Sequence, residues 1–165
     1  MLVSDASTLI LLAKAEVLEA FLGSLERELA IDPVVEEECC GGKPTLDGLL
    51  IRRLIKERRI RVRIAKDRQI LARIQEDFTL GPGEAATIAL AVARKAALVL
   101  VDDKRGINAC KLLKLPFATA LTVLVRMHAR GVLSREDARA KLDALAAHGR
   151  YASQLVRDAH RQLDG

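Results

Sequence analysis

Ala97-Leu98-Val99-Leu100-Val101-Asp102-Asp103 is the stretch on which the fold turns. Its five apolar residues run without alternation, which predicts a strand buried on both faces. Such strands belong to parallel sheets covered by helices on each side. The run stops at two adjacent acids. Upstream, Gly81-Pro82-Gly83 breaks the chain and Glu84 opens a strongly apolar helix to about Lys95. Downstream, a helix from Arg105 to Leu113 and a short strand around Phe117 continue the alternation.

The same alternation runs back to the N-terminus. Residues 1–5 read as a short buried strand ending in an acid, with Asp5 or Ser7 capping a helix that starts near Thr8. Leu9, Leu12, Leu18 and Leu22 follow at roughly helical spacing, in one helix or two. Leu29-Ala30-Ile31 is a second strand, and Pro33 suits the start of a helix carrying Glu36, Glu37 and Glu38. After the break at Gly41-Gly42-Lys43-Pro44 comes a basic helix from Leu46 to about Arg58. Ile60, Val62 and Ile64 then alternate with Arg61 and Arg63, a half-exposed strand, and residues 67–77 read as helix. The tail is helical: Leu121 to Arg130, a helix opened by a Ser134-x-x-Asp137 capping box and ending near Gly149, and a last helix from about Ala152 to Leu163. The chain is therefore read as α/β, a parallel sheet flanked by helices on both faces with extra C-terminal helices. Residues 1–130 form the core and 131–165 a helical extension of the same domain.

Composition narrows the function. The chain has 165 residues, half of them hydrophobic and 30% charged, which excludes a disordered chain. The longest apolar stretch, Ala85–Ala93, is far short of the ~20 residues a membrane-spanning helix needs. MLVSDAS lacks the basic segment of a secretory signal. Cys39, Cys40 and Cys110 form no C-x-x-C pair, so a disulfide framework and a zinc knuckle are not expected, and the free thiols fit a cytoplasmic protein. Cys39 and Cys40 read as packing residues. Only 2% of the residues are aromatic, too few for a base-stacking platform. A nucleic-acid partner would thus be bound through its phosphates. The net charge is +5, but residues 52–73 hold ten Lys/Arg against two acids, a net +8, which leaves −3 on the remainder. That run reads either as a solvated surface with snorkelling stems or as a phosphate-tracking surface.

The positions of the acids carry the functional signal. Asp5 follows the first strand, Glu36–Glu38 the second, and Asp102 and Asp103 the buried strand; Glu84 opens the helix that feeds it. The carboxyl ends of parallel strands share one edge, where ligands of open sheets sit. Taken singly, Asp5 reads as an N-cap, Glu84 as a first-turn acid, and one of Asp102 and Asp103 as a cap. Taken together, they are carboxylates that repel one another and call for a cation. Oxygen-only donors select hard divalent ions, Mg²⁺ or Mn²⁺, which promote phosphodiester hydrolysis in one- or two-ion form. His128, His148 and His160 all lie late in the chain, outside this set. Gly81 and Gly83 precede no Gly-Lys-Ser/Thr, so a nucleotide-binding loop is excluded.

These elements resemble the PIN-domain nucleases, the family that includes VapC-type toxin ribonucleases. VSDAS at 3–7 resembles the family's opening strand with its first metal-binding acid, here Asp5, and a small hydroxylic residue, here Ser7. IDPVVEEE at 31–38 resembles the element that places the second acid on Glu38, with Glu37 as the other candidate. GPGEAATIALA at 81–91 places the third on Glu84. VLVDDKRG at 99–106 places the fourth on Asp103, with Asp102 beside it. GVL at 131–133 and GRYASQLV at 149–156 resemble the tail of a VapC-like subgroup. The resemblance implies a cytoplasmic, Mg²⁺- or Mn²⁺-dependent endoribonuclease, the toxin of a toxin–antitoxin pair. Asp5, Glu38, Glu84 and Asp103 would be catalytic and would hold one or two ions with Asp102, and Ser7 would orient a water or Asp5. Its partners would be RNA, an antitoxin protein and a second copy of the chain in a homodimer. Arg52, Arg53, Arg58, Arg59, Arg61, Arg63, Lys104 and Arg105 would track the RNA backbone, though the basic run would equally suit an acidic antitoxin tail. The rival reading is a catalytically silent PIN fold that binds nucleic acid or protein.

Overall fold

The computed structural model describes residues 1–165. Five short strands are β1 (Leu2–Ser4), β2 (Leu29–Ile31), β3 (Ile60–Val62), β4 (Leu98–Leu100) and β5 (Phe117–Ala118). They form one sheet in the order β3-β2-β1-β4-β5, and every pair is parallel. Between and after them lie α1 (Ala6–Lys14), α2 (Leu18–Gly23), α3 (Pro33–Cys40), α4 (Leu46–Lys56), α5 (Arg68–Phe78), α6 (Pro82–Arg94), α7 (Lys104–Leu112), α8 (Ala120–Ala129), α9 (Arg135–His148) and α10 (Ser153–Asp164).

The continuous apolar run divides its residues between two cores. Leu100 packs into one with Leu9, Leu12, Leu54, Leu124 and Leu142. Val99 and Val101 pack into the other, with Ile74, Ile88, Leu90 and Cys110. The same split occurs in β1, where Leu2 faces the first core and Val3 the second, and in β2, where Ala30 faces opposite to Leu29 and Ile31. Side chains alternate along a strand, so a strand between two helical layers must be apolar at every position. α1, α3, α4, α8 and α9 cover the first face, and α5, α6 and α7 the second. Ala138, Leu142, Leu145, Ala159 and Leu163 of α9 and α10 enter the first core beside the strand residues.

Side-chain caps fix the starts of several helices, and α1, α7 and α8 begin one or two residues earlier than hydrophobic periodicity alone suggests. α1 begins at Ala6, directly after Asp5, whose side chain accepts from Thr8 N. α3 follows Asp32, which accepts from Val34 N, and has Pro33 in its first turn. α7 follows Asp103 and α8 follows Thr119, each capped by that residue's side chain. α6 begins at Pro82, two residues before Glu84. A proline tolerates the first helical position because its missing N–H has no partner there in any case. The Ser134 hydroxyl accepts from Asp137 N at 3.0 Å, as the capping-box pattern at α9 predicts. At the sheet edge, Arg63 N still donates to Ile31 O, but Ile64 is 57% exposed, so the alternating pattern outruns the strand.

One close approach sets the distance between α7 and β4. A Cβ built on Gly106 would lie 2.5 Å from Val101 Cγ2, and both residues are buried. Val101 is β-branched and cannot swing aside freely. Gly106→Ala is expected to lower stability in chemical denaturation by about 1–3 kcal/mol, against the ~1 kcal/mol that alanine gains in a helix. Val101→Ala in the same chain should recover part of that loss. A Gly106→Ala protein as stable as the parent would show that the helix can move outward without cost.

Candidate active site

The carboxyl edge of the sheet gathers its acids by means of helix N-termini. Asp5 N donates to Leu100 O at 3.1 Å, which carries the β1–β4 ladder one residue past the strands and sets Asp5 beside the β4 exit. Its side chain then turns back to cap α1. Oδ1 accepts from Thr8 N at 2.9 Å and Oδ2 from the Ser7 hydroxyl at 3.2 Å. Asp5 is only 2% exposed. Burial pushes its carboxyl up to about 7, against the lowering effect of the Thr8 and Ser7 donors, and the nearby Asp102 charge adds to the rise.

Asp102 is held by three elements. Thr8 Oγ1 of α1 donates to Oδ2 at 2.7 Å, and Ala120 N, the first residue of α8, lies 3.0 Å from Oδ2 and 3.3 Å from Oδ1. The Tyr151 hydroxyl, in the connection between α9 and α10, donates to Oδ1. Burial raises the Asp102 carboxyl above its ordinary value even with these donors in place.

Glu38 and Glu84 meet across the start of α6. Glu38 Oε1 accepts from Gly83 N at 3.1 Å. A Cβ on Gly83 would lie 2.1 Å from Glu38 Oε2, so only a glycine lets the carboxylate lie against the helix start. Glu37 turns elsewhere: its carboxylate folds back over Gly41 at the end of α3. Burial raises the Glu84 carboxyl, Asp103 and Glu38 raise it further, and Arg105 opposes them. Asp103 caps α7 by accepting from Arg105 N at 2.8 Å. Buried Thr87 donates to Gly83 O at 2.8 Å and also lies 3.4 Å from Ser4 O, which ties the α6 start to the β1 exit. Asp5 and Asp103 are therefore caps and members of the acid edge at the same time. Burial pushes the Cys39 and Cys110 thiols up to about 12, so they stay protonated and are poor nucleophiles or ligands.

A cavity of about 1240 Å³ opens beside these acids. Ser7, Glu84, Asp102 and Asp103 line it, together with Lys14, Lys104, Lys111, Arg126 and Arg150. None of these five cations is in an ion pair. The run at 52–63 lies elsewhere, around the β3 edge. Arg53 and Arg59 pair with Glu19, Arg61 and Arg63 pair with Glu28, and Arg52 donates to Cys40 O. Arg105 Nη1 donates to Thr79 O at 3.2 Å, across the turn before α6. Of the basic residues singled out in the sequence, the structure brings Lys104 and Arg105 to the acids and ties Arg52, Arg53, Arg59, Arg61 and Arg63 to partners elsewhere.

Sequence reading missed Thr8, Tyr151 and four of the cavity's cations. Thr8 lies one helical turn beyond Asp5, a spacing that fits any N-cap. Tyr151 is the sole tyrosine of the chain and sits between two helices of the tail, a position with no periodic signal. Lys14, Lys111, Arg126 and Arg150 are scattered singly in sequence and converge only in three dimensions.

No group of three or more His, Cys, Asp or Glu side chains closes on a common metal position. The donor set nevertheless fits a hard divalent ion. It is made of carboxylate oxygens alone, and burial, with the neighbouring acids adding to it, raises the Asp5 and Glu84 carboxyls, a penalty that a cation relieves. No helix of the chain is long and apolar enough to cross a membrane.

Among known families, the one described as PIN domain matches residues 1–164. No curated protein matches the chain significantly. PIN domains are generally nucleases and usually use divalent metal ions, which agrees with the acid edge built here. A match over almost the whole length, on an all-parallel sheet that collects its acids at one edge, places the chain in the PIN-domain family.

Proposed function

We propose that this PIN domain is a metal-dependent endoribonuclease of the VapC-like subgroup and the toxin of a toxin–antitoxin pair, acting with an antitoxin partner and as a homodimer. The observation that carries the nuclease reading is the gathering of Asp5, Glu38, Glu84 and Asp103 at one edge of the parallel sheet of a PIN domain. RNA as the substrate, the antitoxin and the homodimer rest on the family resemblance of the sequence motifs. Residues 131–165 are taken as an extension of the same domain, since their apolar face shares the core of residues 1–130.

Asp5, Glu38, Glu84 and Asp103 are the residues that would hold Mg²⁺ or Mn²⁺, with Asp102 assisting. A bound divalent ion supplies Lewis acidity at the scissile phosphate. The rest of the reaction falls to the chain. Asp5 is held by Thr8 N and is already desolvated, so it needs no reorganisation. Ser7 lies at the cavity wall with its hydroxyl on Asp5, where it is placed to orient a water. Lys14, Lys104, Lys111, Arg126 and Arg150 offer unpaired cations to phosphates entering the cavity. Because aromatic side chains are so few, bases are read weakly and the backbone carries the affinity.

Asp5→Asn keeps an acceptor for Thr8 N and removes the charge. Cleavage of single-stranded RNA in Mg²⁺ or Mn²⁺ is expected to fall at least 100-fold with the fold intact. Activity at the parent level would overturn the assignment and favour a silent binding module. The same variant tests the electrostatics. In the metal-free protein the folded carboxyl binds its proton up to about pH 7, whereas the unfolded one releases it near 3.8. Between those values the folded state binds more protons at Asp5, so this group's contribution favours folding at low pH and turns against it as pH rises to 7. At pH 8 the cost amounts to no more than about 4 kcal/mol. Asp5→Asn should therefore melt higher than the parent at pH 8 in chelator. Millimolar Mg²⁺ should raise the Tm of the parent and leave that of the variant nearly unchanged.

Gly83→Ala separates activity from stability in a second way. The added methyl displaces the Glu38 carboxylate, the far end of a flexible side chain, while alanine favours the helix. Cleavage should drop by 10-fold or more with Tm equal to or above that of the parent. A large fall in Tm would mean that the backbone, not Glu38, gives way.

A further inference from the structure

The Asp102 carboxylate is held from three places in the chain. Oδ1 faces the Tyr151 hydroxyl and Ala120 N, and Oδ2 faces Thr8 Oγ1 and Ala120 N. Three donors thus hold the carboxylate, with the Ala120 N–H shared between its two oxygens. All of these donors are neutral, and they come from three separate places: α1, the first residue of α8 and the α9–α10 connection. Thr8 continues the chain, because its backbone N–H holds Asp5 Oδ1 at 2.9 Å while its hydroxyl holds Asp102. A single connected path therefore runs from the C-terminal helices to the most buried acid: Tyr151 to Asp102, Asp102 to Thr8, Thr8 to Asp5. The phenol is itself fixed. Its ring packs against Gly149, where a Cβ would lie 2.3 Å from Cε2, and burial together with the Asp102 charge raises the phenol well above its ordinary value. Tyr151 thus stays a protonated donor at any working pH.

We propose that Tyr151 is a positioning residue of the nuclease, and that the Tyr151–Asp102–Thr8 clasp sets Asp5 in place. Asp102 then assists by holding neighbouring groups, with its own oxygens engaged, and the α9–α10 connection is a working wall of the site. This inference rests on the nuclease reading for its effect on turnover, but the clasp itself is testable without activity. A hydrogen-bonded group that orients a metal-binding carboxylate typically contributes 10- to 100-fold to affinity or turnover, and a purely structural contact does not touch the reaction in that way.

The chain provides its own probe, because it has one tyrosine and no tryptophan. Ultraviolet-excited emission reports Tyr151 alone, and a carboxylate accepting from a phenol quenches it. Asp102→Asn should brighten that emission in the folded, metal-free protein, whether or not the protein cleaves RNA. Unchanged emission in a folded Asp102→Asn protein would overturn the clasp. Tyr151→Phe keeps the ring packed on Gly149 and removes only the hydroxyl. It should lower kcat on single-stranded RNA about 10-fold or more with KM within twofold of the parent. The Mg²⁺ concentration that half-saturates the rise in Tm should increase by a similar factor. Asp102→Asn combined with Tyr151→Phe should be little worse than the more impaired single variant, since both break one path. Parent-like kcat and Mg²⁺ dependence in a folded Tyr151→Phe protein would overturn the positioning role. If the parent cleaves no RNA, the nuclease reading fails, and the emission and Mg²⁺ measurements still decide the clasp.

Discussion

Backbone N–H groups at helix starts, each holding a carboxylate, are the interaction on which the rest of this structure depends. Every parallel strand exits at the same edge, and a helix begins there soon after. The first turn of a helix has N–H groups without intrahelical partners and the positive end of the helix dipole. Thr8 N holds Asp5, Gly83 N holds Glu38, Arg105 N holds Asp103 and Ala120 N holds Asp102. Four acids that would repel one another in water are thereby collected by donors that the fold must satisfy anyway. The helix starts supply fixed attraction, yet burial and the neighbouring acids still leave the carboxyls of Asp5 and Glu84 raised, a shortage of compensation that the donors do not remove.

That shortage is graded across the edge. Asp5 is almost fully enclosed, Asp102 and Glu84 are half-buried, and Glu38 and Asp103 are exposed. Desolvation therefore weighs most on Asp5 and least on the two acids nearest solvent. An arriving cation meets exposed carboxylates first and gains most from the one behind them. The grading follows from the sheet: β1 is its central strand, so the residue at its exit is covered on both sides, whereas the β2 side reaches the edge only through α3.

Much of this was legible in the sequence, for a physical reason. A strand between two helical layers cannot be polar at any position, so Ala97–Val101 announces a parallel sheet in five residues. The acids at its end, and at the ends of the other strands, lie in positions that topology alone brings together. The ambiguity between Glu37 and Glu38 was not legible, because two adjacent helical residues differ only by rotation. What separates them is a glycine 45 residues away at the start of α6, against which Glu38 lies. Tyr151 was invisible for the same kind of reason. Its role depends on how a C-terminal hairpin docks on α8 and α1, and docking geometry leaves no periodic mark.

The distribution of positive charge was the least legible feature. A run of ten cations in 22 residues dominates the sequence, yet in the fold much of it faces Glu19 and Glu28 across the β3 edge. Exposed pairs of this kind contribute little to stability, but they lower the local potential that an incoming phosphate would meet. The cavity beside the acids collects its cations one at a time, from α1, α7, α8 and the α9–α10 connection, and leaves them unpaired. A polyanion is attracted by the potential it encounters, not by the number of lysines and arginines in a segment. On that ground the proposed nuclease reading favours a phosphate path along the cavity toward Asp102 and Asp103, while the basic run has its charge divided between its own acids and solvent. The C-terminal helices then reach the cavity as well as the core, since Arg150 lines it from the same short connection in which Tyr151 holds Asp102.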